Sequence, residues 1–404
     1  MFHSVALSMQ ALKSLSIPPP YHFYKKFVSD SIKPFQFLLW YSLSSSTKAK
    51  TQILENNSPI ANYLINTFKF TETQALSIST RFYWVKSPEK PESLLLFFQN
   101  LGFSESDIHS AVRMSPQILF SDIDKTLKPK IEFFQELGLF GSELGKFISR
   151  NSMLLNVSLE RRLVPCIEII KNILSNDKDN QDLFRVLRRC NKVASGDPES
   201  GLVGNIAFLK SCGIVGSQLS MLLTRQPWLF TIKESKLRDL VSRVLDMGFA
   251  VNSRMLVYAL YTVSCMSNET FTRKLELFQS SGFSSEECIQ MFRKAPGLLR
   301  TSEEKLKLGF EFFMNTINLE KSVLVRIPSC LMYSIEKRVM PRYMVLQVIN
   351  SQRLLKREPS FIHVLSLTEE EFLAKFIAKF GNDAEKLLVA YKGHLLGCSC
   401  EDNS

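Results

Sequence analysis

The chain has 404 residues, is 45% hydrophobic, and carries 50 lysines and arginines against 39 acids for a net charge of +11. A single core seldom grows past about 250–300 residues, and 16 glycines with 16 prolines are too few for a disordered or collagen-like chain. Several domains or a repeat array therefore follow, and the basic excess points to a polyanionic partner or an anionic membrane.

Residues 1–50 differ from the rest. They hold Lys13, Lys25, Lys26, Lys33, Lys48 and Lys50 against a single acid, Asp30, with many serines. Acid-poor, serine-rich, partly amphipathic N-termini are organelle transit peptides, so residues 1–50 are expected to be an import signal and linker. No arginine stands among them, which counts against a mitochondrial peptide. The apolar run over 35–43 is far short of the ~20 residues of a membrane span, and no later run comes closer, so no membrane partner is expected.

Residues 58–390 are expected to form a helical-repeat solenoid. A degenerate first unit runs from Asn62 through Phe68 and Ala75-Leu76 to Pro91 and Phe98. One phrase then recurs roughly every 35 residues, which is solenoid spacing: Gly before an apolar residue, an amphipathic run ending in a basic residue, a Pro step, and a second apolar run. Leu101-Gly102-Phe103 leads to Arg113-Met114-Ser115-Pro116, and Leu137-Gly138-Leu139 to Arg150-Asn151-Ser152, with Ser in place of Pro. A degenerate copy, Leu183-Phe184-Arg185-Val186-Leu187-Arg188-Arg189, lies between polar loops at 175–182 and 195–201. Cys212-Gly213-Ile214 leads to Arg225-Gln226-Pro227, Met247-Gly248-Phe249 opens a copy without Pro, and Ser281-Gly282-Phe283 leads to Lys294-Ala295-Pro296. Arg326-Ile327-Pro328 closes a copy whose Gly is missing.

Within a unit the period is helical. Ile108, Ala111 and Val112 share one face behind a capping start at Ser104. Pro116 denies the helix a donor and ends it. Leu127, Ile131 and Phe134 then open a second helix, and the same layout fits Leu237, Val241 and Val244, then Leu306, Phe310 and Phe313. No stretch alternates with period two, so the fold class is all-α. Near the end, residues 361–367 and a helix opening at Thr368 precede a polar tail, 391–404.

Six of the eight cysteines stand singly in or beside apolar runs, as buried free thiols do. Cys398 and Cys400, with His394 and Asp402, lack the second pair of a zinc site. The stretch Gly141-Ser142-Glu143-Leu144-Gly145-Lys146-Phe147 is one spacer short of a phosphate-binding loop and has Phe147 where a hydroxyl must hold magnesium. Its glycines read as loop and helix-start positions. The five histidines are dispersed. No enzyme, metal or cofactor is expected.

The Leu-Gly-Phe-Ser opening at Leu101, the Arg/Lys-x-Pro steps, the helix Leu127-Lys128-Pro129-Lys130-Ile131-Glu132-Phe133-Phe134, and above all Leu331-Met332-Tyr333-Ser334-Ile335-Glu336-Lys337-Arg338-Val339-Met340-Pro341-Arg342 resemble the repeats of the mitochondrial transcription termination factor (mTERF) family in its expanded plant form. The resemblance covers roughly residues 60–380, in units of solenoid length. It implies two antiparallel helices and a short 3₁₀ helix per unit, stacked into a superhelix that holds nucleic acid in an organelle, and it favours the mitochondrion over the plastid.

The basic ladder Arg113, Arg150, Arg188 or Arg189, Arg225, Arg293 with Lys294, and Arg326 sits late in the first helix of each unit. Lys337, Arg338 and Arg342 add a C-terminal group. Stacked units place equivalent residues in one stripe. With neighbouring helices about 8–10 Å apart, seven or eight units span roughly 70–100 Å, enough for about 20 base pairs of a duplex. Arginine's planar fork suits phosphate; late-helix cations also complement the helix dipole with no ligand at all, and both readings stay open. The aromatics, Phe133, Phe134, Phe310, Phe312, Phe313 and Trp228 included, read as core. The expected partner is double-stranded DNA or structured RNA bound by a monomer. A pentatricopeptide-like RNA reader and a protein-binding helical scaffold are the alternatives.

Overall fold

The structure is a computed structural model that describes residues 59–399, with side chains to 393 apart from that of Ser200. The expected import signal, and the cluster of His394, Cys398, Cys400 and Asp402, lie outside the described residues and side chains. Every regular element among the described residues is a helix. The chain divides into two compact units, residues 1–90 and 91–404.

In the first unit, α1 (Pro59–Phe68) and α2 (Glu72–Arg81) form a helical pair. Thr71 caps α2 in a capping box with Gln74, and Leu64, Phe68 and Ala75 are fully buried. The division falls inside α3 (Glu89–Asn100).

The second unit repeats one design. It runs through α4 (Glu105–Met114), α5 (Lys128–Glu136), α6 (Gly141–Asn151), α7 (Val164–Ile173), α8 (Gln181–Arg189), the one-turn α9 (Lys192–Ser195) and α10 (Gly204–Ser211). It continues with α11 (Gly216–Arg225), α12 (Glu234–Asp246), α13 (Arg254–Ser264), α14 (Asn268–Ser280), α15 (Ser285–Lys294) and α16 (Glu303–Phe310). The last helices are α17 (Lys321–Arg326), α18 (Met340–Ser351), α19 (Phe361–Ser366), α20 (Glu369–Phe376) and α21 (Ala384–Ser399). The first helices α4, α6, α8, α11, α13, α15 and α17 pack each on the next. Helix α20 starts at Thr368 as expected, and α21 continues past the boundary expected at 390.

The Pro steps act as the sequence implies. Ser115, Gln226, Ala295 and Ile327 take φ near −140° and ψ of 72°, 66°, 75° and 65°, outside the α region, because the following proline ring excludes it. Each proline then opens a 3₁₀ turn: Pro116–Phe120, Pro227–Phe230, Pro296–Arg300 and Pro328–Met332. Ser152 opens Ser152–Asn156 without a proline. In the copy beginning at Gly248 the turn is absent, and α13 passes through Cys265-Met266 straight into α14.

The Gly-Φ step proves to be the end of a unit. Gly102 has φ +83°; its N–H donates to Gln99 O, and the N–H of Phe103 donates to Phe98 O at 3.1 Å. This is a Schellman closure of α3, with Phe103 buried as its hydrophobic partner. Where the Gly is missing, Asn318 takes the left-handed conformation at φ +53°.

Phenylalanines knit unit to unit. The Phe134 and Phe147 rings lie 5.2 Å apart, Phe147 and Phe184 5.6 Å, and Phe278 and Phe310 5.5 Å. Trp228, expected in the core, is 43% exposed, because the 3₁₀ turn aims Leu229 and Phe230 inward instead. Cys166, Cys288 and Cys330 are buried, but Cys265 is exposed, since the chain there has no 3₁₀ turn to cover it. Gly145 is not in a loop but within α6. A side-chain carbon there would lie 3.3 Å from the Phe103 ring, so its smallness permits α4 and α6 to pack closely.

Candidate nucleic-acid interface

The late-helix cations fall into two groups. Arg113, Arg150, Arg188 and Arg326, at the ends of α4, α6, α8 and α17, are exposed, and so is Lys337 at the C-terminal unit. Arg189 and Lys294 are exposed as well, but their side chains, like those of Arg225 and Arg293, reach onto neighbouring units. Arg189 Nη1 donates to Thr224 O at 2.6 Å and Arg225 O at 3.1 Å. Lys294 Nζ donates to Val325 O at 2.9 Å. In both cases the last residue of one first helix caps the C-terminal carbonyls of the next, groups that have no partner inside their own helix. Their charge meets a helix dipole, as the ligand-free reading holds, but it is the dipole of the following unit.

Arg225 Nη2 donates to Tyr258 Oη at 3.0 Å, and its guanidinium carbon lies 4.5 Å from the Tyr258 ring centre. Arg293 lies against the turn before α13: a side-chain carbon at Gly248 would stand 2.7 Å from its Nη1.

One predicted contact, Arg342, is corrected, and its neighbour Arg338 is drawn onto the same carbonyls. Arg342 is fully buried. Its Nη1 donates to Val364 O and Leu367 O, each at 2.8 Å, and its Nη2 pairs with Glu369 at 3.1 Å. Arg338 donates to Leu365 O and Leu367 O and covers the Tyr333 ring at 4.6 Å. Both close the carbonyl end of α19; Arg342, with no exposure, cannot reach a ligand, whereas Arg338 is half-buried and spent on these carbonyls.

Arg342 belongs to a series that the sequence reading missed. In the register where Leu127, Ile131 and Phe134 face the core, Lys130 Nζ donates to Leu155 O at 2.6 Å. At the same position Cys166 Sγ reaches Gly196 O, Asn205 Nδ2 reaches Leu229 O and Ile232 O, and Lys274 Nζ reaches Thr301 O. Each donor, set on a second helix, satisfies carbonyls at the end of the next unit's 3₁₀ or one-turn helix. Where Gly309 takes the position, Lys305, one turn earlier, donates to Met332 O at 2.7 Å. Where the next unit has no 3₁₀ turn, the position is Leu240. Burial holds Lys130, Lys274 and Lys305 below the ordinary lysine range. The signal was a polar residue repeatedly preceding a core position of the second helix.

The geometry therefore offers exposed cations in the last turn of several first helices, in two adjacent registers, beside joints fastened by other cations. Among the described residues no cluster suits a metal ion, and no helix is long and apolar enough to cross a membrane. The mTERF family model matches residues 95–258 and 179–373. Over 258 residues the chain is 25% identical to the chloroplastic transcription termination factor MTERF8 of Arabidopsis thaliana, covering 64% of this chain and 50% of that protein. It thus spans about half the length of the curated relative it matches.

Proposed function

Because the chain belongs to the mTERF family, we propose that it is a nucleic-acid-binding regulator of organellar gene expression, acting in transcription termination by position rather than by chemistry. The observation that carries this reading is the exposure of Arg113, Arg150, Arg188 and Arg326 in the last turn of the first helix of four stacked units. Such a set contacts backbone and carries no base code, so duplex DNA is the preferred ligand, with structured RNA the other. The monomer, with Lys337 as a further contact, suffices for it. Support for a plastid address comes from the relative's chloroplastic name and from the arginine-free stretch 1–50; this reverses the preference for the mitochondrion.

Titrating binding of duplex DNA, duplex RNA and single strands against salt tests the reading. Five neutralised phosphates give a slope of log K against log salt of about −4.5 on duplex DNA. A protein that binds none of the three, or binds with no salt dependence, refutes it.

A further inference from the structure

An open cleft of about 700 Å³ lies where α7, α8, α10 and α11 meet. Its origin is the degenerate third unit. Helix α8 is nine residues long and is followed by the single turn α9, and α7 reaches past this short unit to pack on α11. The hollow left beside that contact is lined by Arg185, Arg189, Lys210 and Arg225, with one acid, Asp182.

The three guanidinium groups are held in place before any ligand arrives. Arg185 is paired with Asp182 one turn earlier, Arg189 with the carbonyls of Thr224 and Arg225, and Arg225 with Tyr258. A guanidinium has five donors, so each keeps donors in excess of these bonds. Lys210 is exposed. The first turn of α11 also lines the cleft, through Gly216 and Ser217. Its N-cap is Val215, which offers no side-chain acceptor to the N–H groups of that turn. No aromatic ring lines the cleft, so nothing in it would stack a base.

Four cations, three of them pre-set, around a hollow without a base platform suit an oxyanion of more than one charge. We propose that this cleft is an anchor for two neighbouring phosphates of one nucleic-acid strand, distinct from the exposed helix-end cations. The inference rests on the nucleic-acid reading above and locates a point of grip within it.

The test uses the full chain and two variants, the double variant Arg185→Gln/Lys210→Gln and, separately, Ser217→Glu, which sets a carboxylate at the start of α11. None of these residues ties one unit to another. Binding of a single-stranded oligonucleotide is titrated against salt, and thermal stabilisation by inorganic pyrophosphate is measured alongside. The expected result is a slope shallower by about 1.4 in the double variant, at about 0.7 per phosphate on a single strand, and loss of pyrophosphate stabilisation in both variants. Arg150→Gln, away from the cleft, should keep the pyrophosphate effect. Variants that bind with the wild-type slope overturn the anchor while leaving the nucleic-acid reading intact. A wild-type chain that is stabilised by pyrophosphate yet binds no nucleic acid overturns both, and makes the occupant a small phosphate compound. A wild-type chain that binds nucleic acid but ignores pyrophosphate also overturns the anchor.

Discussion

Lys130 Nζ donates to the carbonyl oxygen of Leu155 across 2.6 Å, joining the second helix of one unit to the 3₁₀ turn of the next. Lys130→Met keeps the stem's bulk but leaves that buried carbonyl without a donor. The variant should lose about 1–3 kcal/mol, read as a lower urea midpoint with unchanged slope. Burial lowers the folded pKa of Lys130 from its ordinary 10.5. Between the two values the unfolded chain binds more protons, so this contribution to stability rises with pH. The gap between wild type and variant should therefore widen as pH approaches 10.5, and a gap that narrows there contradicts the assignment.

Arg150 and Lys294 occupy corresponding helix ends and should behave oppositely. Arg150→Ala should leave stability within about 0.5 kcal/mol and make the duplex-binding salt slope shallower by about 0.9. Lys294→Ala should cost about 1 kcal/mol through the lost bond to Val325 O and leave the slope alone. Paired thermal melts and salt titrations check both, and a shared outcome would dissolve the distinction between interface and joint.

Asn318 holds a left-handed conformation in the place where other units have glycine. Asn318→Gly should be tolerated with little change. Asn318→Val should lose about 1–2 kcal/mol, the cost of a Cβ in that region for a residue without a local hydrogen bond to offset it. Equal melting temperatures for the two variants would contradict this.

Glu287 should add to acid sensitivity. The Ser284 N–H at 2.7 Å and Lys321 at 3.2 Å hold its carboxyl below the ordinary 4.5. A carboxylate depressed in the folded state contributes stability that is fully present above the unfolded value and lost as pH falls through the folded one. Melting temperature followed from neutral to acid pH should fall less steeply in Glu287→Gln than in wild type; parallel curves would show the pair to be without effect.

Much of this was legible in local sequence. Helix ends followed the prolines because a residue before proline cannot stay helical, and the core faces of α4, α5, α12 and α16 followed helical spacing. What escaped depended on neighbours distant in sequence. Nothing near Lys294 or Arg189 announces that a carbonyl 31 or 35 residues later lies within reach. Arg342 looked like Arg326 in composition, yet one is buried beneath α19 and the other exposed. Missing prolines also had unequal consequences: Ser152 keeps its turn, whereas Cys265 does not, because only the former is followed by apolar residues, Leu154 and Leu155, that bury.

The copy without a 3₁₀ turn is joined to its predecessor unevenly. On the first-helix side Gln218 donates to Val251 O and Ser253 O, and Gln226 to Ser264. On the other side Leu240 replaces the buried donor, and Arg243 ties α12 to α14 in its stead, through the exposed pair with Asn268 and by lying 4.5 Å from the Phe271 ring centre. A stack stitched along one edge opens along the other, as a book does from its spine. Changes of pitch, when the protein grips a curved or stiff ligand, would then be taken up at this one joint while its neighbours turn as blocks.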